Sequence, residues 1–179
     1  DDSDESYAGF MDRTFTKDKD GNLSVSHNRF IVAQRFRGKG IASDISENVE
    51  KHYEKLGVGT ITLNANADIG GYAWARQGYD FETEDEREEM QDVFNWHIEH
   101  MDILSVLEED EFINQVDVFT HAWEFAEWNP TDEPHGQHLG KEIMLGTTWN
   151  AEKTLDKKSQ GYQRGKIYFA LKRKHNEQG

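Results

Sequence analysis

Residues 30–43 read Phe30-Ile31-Val32-Ala33-Gln34-Arg35-Phe36-Arg37-Gly38-Lys39-Gly40-Ile41-Ala42-Ser43, and 44–57 continue DISENVEKHYEKLG. The apolar run Phe30-Ile31-Val32 has the character of a strand end, Arg37-Gly38-Lys39-Gly40 is a short basic glycine loop, and an amphipathic helix starts at Ile41. A strand, a glycine loop and a helix N-terminus in series make a phosphate site. Glycines let backbone N–H groups approach an anion closely, and the helix start adds unsatisfied donors and partial positive charge. Arg37 and Lys39 add full charges.

The spacing selects among phosphate ligands. The nucleotide pattern G-x-x-x-x-G-K-[ST] is absent. The dinucleotide pattern G-x-G-x-x-G matches only at Gly38 and Gly40, because position 43 is Ser. What fits is R-x-x-G-x-A at Arg37 to Ala42.

Downstream residues extend the frame. Ile41, Ile45, Val49, Tyr53 and Leu56 fall on one helical face, and Gly57 is a stop signal. Val58 to Leu63 reads as a strand, Gly71 to Gln77 as a short helix ending at Gly78, and Tyr79-Asp80-Phe81 as another strand. Upstream, Phe10 to Thr16 is a strand, Lys17-Asp18-Lys19-Asp20-Gly21-Asn22 a turn, and Leu23 to Val32 the return strand of an antiparallel hairpin.

Over residues 10–83 this order resembles the GCN5-related N-acetyltransferase (GNAT) superfamily, which binds acetyl-CoA. Val32, Phe36 and Arg37 through Ile41 fit the family pattern V-x-P-x-Y-R-G-K-G-I-G, with Gln34 for the proline and Ala42 for the last glycine. Trp74-Ala75-Arg76-Gln77-Gly78-Tyr79 occupies the place of the family's closing Y-E-K-x-G-F segment. The resemblance implies an α/β fold: a GNAT-like mixed sheet with flanking helices, N-terminally reduced, with a helical insertion before the last strand. The family's usual first strands and helices are missing here. The sheet is then truncated or completed from elsewhere in a parent chain or from a second subunit. The implied division is a core at 1–83, a mainly helical insertion at 84–160, and a final strand and tail at 161–179.

The resemblance also implies site residues. Main-chain groups of Phe30, Ile31 and Val32 would pair with the pantetheine arm. Loop amides from Gly38 through Lys39, Gly40, Ile41 and Ala42 to Ser43 would hold the pyrophosphate beside Arg37, with Asn66 and Trp74 also lining the acetyl-CoA site. A backbone N–H near Val32 is the oxyanion donor. Amine acetylation needs a base and an acid besides. The family's acid is often a Tyr at the place held here by Trp74, whose indole donates no proton at ordinary pH, so Tyr72 is the acid candidate. His27, on the strand before the loop, and Asp68, otherwise a helix cap, are the base candidates.

In the insertion, Met90, Phe94, Ile98, Met101 and Leu104 predict one helix after an acidic turn at Glu84 to Glu89. A second is predicted from Asp110 to Trp128, stopped by Asn129-Pro130, then a loop over Thr131 to Gly140. Lys141 to Thr148 and Ala151 to Leu155 read as short helix or strand, and Gly165 to Leu171 as the final strand. Trp96, Trp123 and Trp128 serve a helical hairpin or a protein partner's surface.

Composition bounds the rest. The 179 residues carry 35% hydrophobic and 31% charged residues and a net charge of −15. That balance argues against nucleic-acid binding and is compatible with a cationic amine acceptor. No apolar run is long enough for a membrane span, no secretory signal is visible, and cytoplasmic is the default compartment. The absence of cysteine excludes disulfides and thiolate chemistry. His97-x-x-His100 and His135-x-x-His138 lack a third ligand, so no metal site is assigned. Asp18 to Asn22 lacks the downstream Glu of a calcium loop. The acidic start, Asp1 to Ser6 without Met, reads as a disordered end of an excised or processed piece.

Overall fold

The computed structural model describes residues 8–37, 39–66, 70–101, 106–130 and 138–167, with the side chains of 43 and 106–108 also outside the description. The expectations for 1–7, Gly38, Asp68, His135 and 168–171 lie outside the described residues. The chain is α/β. Strands β1 (Gly9–Lys17), β2 (Leu23–Val32), β3 (Val58–Ala65), β4 (Asp80–Phe81) and β5 (Trp149–Thr154) form one mixed sheet in the order β1-β2-β3-β5-β4. The helices are α1 (Ile41–Leu56), α2 (Gly70–Ala75), α3 (Glu84–Glu99), α4 (Val106–Val116), α5 (Ala122–Glu127) and α6 (Leu139–Leu145), and residues 160–167 are also helical. Two compact units divide the chain: Asp1–Leu63 with Glu152–Gly179, and Asn64–Ala151. These boundaries differ from the 83/84 and 160/161 divisions read from sequence.

In the first unit the hairpin forms as its turn chemistry dictates. Asp18 Oδ1 accepts the N–H groups of Asp20 and Asn22 at 2.9 and 2.8 Å, and Gly21 takes φ 90°. β1 and β2 pair antiparallel, while β2 and β3 pair parallel through the α1 crossover. The register sorts the two faces. Phe15, Val25 and Ile61 form one cross-strand row, and Arg13, His27 and Leu63 the next, on the face that carries buried Tyr53 of α1. On the opposite face Thr16, Ser24 and Thr60 align, then Thr14, Ser26 and Thr62. Asn28 Nδ2 donates to the hydroxyl of Thr14 in this row at 2.9 Å. Gly57 ends α1 at φ 78°, as its sequence position predicts.

In the second unit the core is aromatic. Phe94 packs edge-on to Phe125, which also meets Phe81 and Phe119, and Trp128 meets Phe94 and Phe112. α3 starts at Glu84 with Thr83 Oγ1 capping Glu86 N, and it ends at Glu99, short of the expected Leu104. The single helix expected from Asp110 to Trp128 is two helices, broken at 117–121. Asp80 Oδ1 and Glu124 Oε2 accept the N–H groups of Ala122 and His121, at 3.0 and 2.8 Å, and so supply a fresh N-terminus for α5.

The expected final strand from Gly165 is corrected. Residues 160–167 are helical, with Ser159 Oγ accepting Tyr162 N at 3.1 Å as a cap. The last strand described is β5, between β3 and β4, and it lies within the segment 84–160 that was read as mainly helical. No helix among the described residues is long and apolar enough to cross a membrane.

Candidate functional site

The glycine loop follows directly from β2. Ala33 N–H donates to Ala8 O at 3.0 Å, the chain tightens into a 3₁₀ turn at Gln34–Phe36, and Arg37 N–H donates to Gln34 O at 3.1 Å. Arg37 then folds back, its Nε donating to Val32 O at 2.8 Å. Gly40, at φ 78°, turns the chain into α1 in a left-handed conformation that a side chain resists. Among the described residues no side chain caps α1, whose first-turn N–H groups have no partner within the helix.

The strand edge beside the loop is shaped by register. The β2–β3 ladder ends at His27 and Leu63, whereas β2 runs on beside β1 to Val32. Because Ala33 bonds Ala8, strand alternation turns the main-chain groups of Val32 and Phe30 away from β1 toward the β3 side, and those of Ile31 toward β1. Of these three residues, Phe30 and Val32 therefore direct their main-chain groups to the β3 side, and Ile31 directs its own to β1.

His27 is placed in the core. It is 6% exposed, with Nε2 at 3.0 Å from Tyr53 Oη, and Arg13 Nη1 donates to the same oxygen at 2.7 Å. Tyr53 Oη thus accepts from Arg13 and shares a second hydrogen bond with His27 Nε2, whose direction is set by the imidazole tautomer. Burial, with Arg13 nearby, lowers the His27 pKa to about 4. Burial beside Tyr53 and Arg13 therefore disfavours the protonated imidazole that a base would become on taking a proton from an amine.

Asn66, Tyr72 and Trp74 lie in the second unit. Asn66 O accepts Gly71 N–H at 3.2 Å at the start of α2. Tyr72 Oη accepts Arg76 Nη1 at 3.0 Å, and its ring carries Arg76 and Lys141 at 5.6 and 5.9 Å from its centroid. Trp74 packs edge-on to buried Tyr79, a core contact. His97 and His100 each donate Nδ1–H to a main-chain carbonyl four residues earlier, of Val93 and Trp96, and both rings pack on Trp96. His138 Nδ1 accepts Lys141 N–H and caps α6.

One cluster escaped the sequence reading. His121 Nδ1 lies 2.6 Å from Asp80 Oδ2, and the imidazole stacks on Trp123 at 4.4 Å. Asp80 was legible only as part of a strand, and its partner lies 41 residues away. Scans of protein-family models, of curated proteins and of solved structures each returned no match to the chain.

Proposed function

We propose that the chain is an acetyl-CoA-dependent N-acetyltransferase acting on an amine. The observation that carries this reading is the series from β2 to α1: a strand whose ladder with β3 stops at His27, a basic glycine turn, and an uncapped helix start at Gly40. An extended pantetheine arm would lie along the β3-facing main chain of Phe30 and Val32, and the pyrophosphate would meet the first-turn amides of α1 and the Arg37 guanidinium. The amine attacks the thioester carbonyl. The C–S bond then breaks as the tetrahedral intermediate collapses, the nitrogen gives up a proton to solvent, and the departing thiolate takes one up. The N–H of Val32, on the side of β2 away from β1, would be the donor to the carbonyl oxygen as it becomes negative. A net charge of −15 favours encounter with a cationic acceptor, with the local cations of the loop holding the anionic co-substrate.

A second reading is a non-catalytic GNAT-like scaffold or acyl-CoA-binding module of a larger protein. The burial of His27 against Tyr53 favours it, because it removes a base from the strand that would hold the thioester. Thiol release from acetyl-CoA, followed with a panel of primary amines and basic peptides, separates the two. Release that depends on the acceptor supports the enzyme. Binding of acetyl-CoA without acceptor-dependent release on any amine supports the module.

A further inference from the structure

Trp96 takes no part in the core of the second unit. Phe94 and Ile98, two residues to either side, are buried, as are Trp123, Trp128 and Trp149, whereas Trp96 is 54% exposed. Among the described residues its ring contacts are with His97 and His100 of its own helix. It lies on a straight seam of exposed residues: Asp85, Glu89, Asp92, Trp96 and Glu99 follow spacings of four, three, four and three, on the side of α3 opposite buried Met90, Phe94 and Ile98. The seam is about 21 Å long. Other acidic residues of α3 have internal partners, Glu84 pairing with Arg87 and Glu86 accepting Asn150 N–H. Among the described residues the four carboxylates of the seam make no ion pair. Asp85, Glu89 and Asp92 are like-charged neighbours one turn apart, which weakens a helix, and Glu99 in the last turn opposes the helix dipole. Little in Asn64–Ala151 offsets this: it holds 21 carboxylates and only the cations Arg76, Arg87 and Lys141, the first two already paired with Glu127 and Glu84. The rest of the chain holds more cations than carboxylates, so the net charge of −15 is concentrated in this unit. Solubility accounts for charge, but not for an indole left in water in the middle of it.

We propose that this seam docks a basic α-helix of a protein partner, with an arginine or lysine of that helix seated on Trp96 between Asp92 and Glu99. Asp92 precedes Trp96 by one turn and Glu99 follows it by one, so a cation over the indole meets a carboxylate on either side. The apolar stem of the incoming side chain covers the ring while its charged head keeps to the carboxylates. Alternating spacings of three and four are those at which a helix lying alongside presents one face, so further cations at that spacing reach Glu89 and Asp85. The surface lies within α3 and is independent of acetyl-CoA binding.

The probe is an alanine-based helical peptide with arginines at alternating three- and four-residue spacing, compared with an isomer whose arginines are spread around the helix. Both are titrated calorimetrically into the full chain at physiological salt, where general attraction between exposed charges is screened. The wild type is expected to bind the matched peptide about tenfold more tightly than the isomer. Asp92→Asn/Glu99→Gln should weaken the matched peptide about tenfold, and Trp96→Ala about threefold or more. Asp110→Asn/Glu111→Gln, at exposed positions of α4, changes the net charge by the same amount and should leave the affinity unchanged. All five positions are exposed, so unchanged melting temperatures report that the variants are folded. No binding of either peptide, equal binding of the two, or an equal loss in the α4 variant overturns the docking seam. So does self-association of the wild-type chain that Trp96→Ala abolishes, because the occupant is then a second copy.

Discussion

Arg37 Nε donates to Val32 O at 2.8 Å, and that carbonyl lies on the side of β2 that turns away from β1. The guanidinium therefore occupies the main-chain acceptor that an extended amide-bearing ligand would need. An exposed hydrogen bond of this kind contributes about 1 kcal/mol, so a ligand that offers a diphosphate in exchange opens it at small cost. Arg37→Ala is expected to weaken acetyl-CoA binding about tenfold or more, with little effect on thermal stability. Binding titrations beside melting curves check this. A large fall in melting temperature with unchanged affinity would make Arg37 a structural latch only.

His27 gives the fold a defined acid sensitivity. Its folded pKa, about 4, lies below the ordinary value of 6.5, so the unfolded chain binds the proton more readily. The stabilisation is full above pH 6.5 and is lost as pH falls toward 4, with an amplitude on the order of 3 kcal/mol. His27→Leu is expected to flatten that part of the stability–pH profile measured by urea unfolding. A variant with an unchanged slope between pH 6.5 and 4 would contradict the assignment.

Much of this region is legible in sequence because its signals are local. Alternation, the Asp20-Gly21 turn, the glycine loop, the 3.6-residue period of α1 and Gly57 each act within a few residues. They place β1, β2, α1 and β3 close to where they fall. The failures come from distant partners. β5 contains Glu152 and Lys153, an unpromising pair for an inner strand, until Glu50 on α1 accepts Lys153 Nζ at 2.8 Å through both oxygens. The run Gly165 to Leu171 has strong strand character locally, and the Ser159 cap commits 160–167 to a helix instead. The periodicity of Asp110 to Trp128 does not reveal the break at 117–121, because the acceptor that starts α5 is Asp80. In the candidate site the motif was readable, whereas the inward direction of His27 depended on the β2–α1 packing.

Two glycines are expected to differ sharply on substitution. Among the described residues a Cβ at Gly40 meets nothing within 4 Å, so Gly40→Ala is expected to cost mainly its left-handed backbone, about 1 kcal/mol. A Cβ at Gly140 would strike the carbonyl oxygen of Phe125 and lie 2.9 Å from Trp128 O, and backbone cannot yield as a side chain does. Gly140→Ala is expected to cost about 3 kcal/mol or more by chemical denaturation. Similar costs at the two sites would contradict the close approach of α6 to α5.

Asp80 joins β4 to α5 by accepting Phe81 N–H and Ala122 N–H at 3.0 Å and by pairing with His121. Asp80→Ala removes a cap and the hydrogen-bond partner of His121 together and is expected to cost about 1–3 kcal/mol. Hydrogen exchange should show lost protection in Ala122–Glu127 ahead of β1 and β2. Uniform loss across the chain would mean that Asp80 supports the whole fold rather than this helix start.

The central claim is that the loop from Arg37 into α1 binds acetyl-CoA, and calorimetric titration at low salt measures it directly. The wild-type chain should bind acetyl-CoA and its non-reactive desulfo analogue with micromolar affinity, and Arg37→Glu, placing a carboxylate against the diphosphate, should abolish both. No heat of binding up to millimolar ligand, or undiminished binding by Arg37→Glu, would contradict the account.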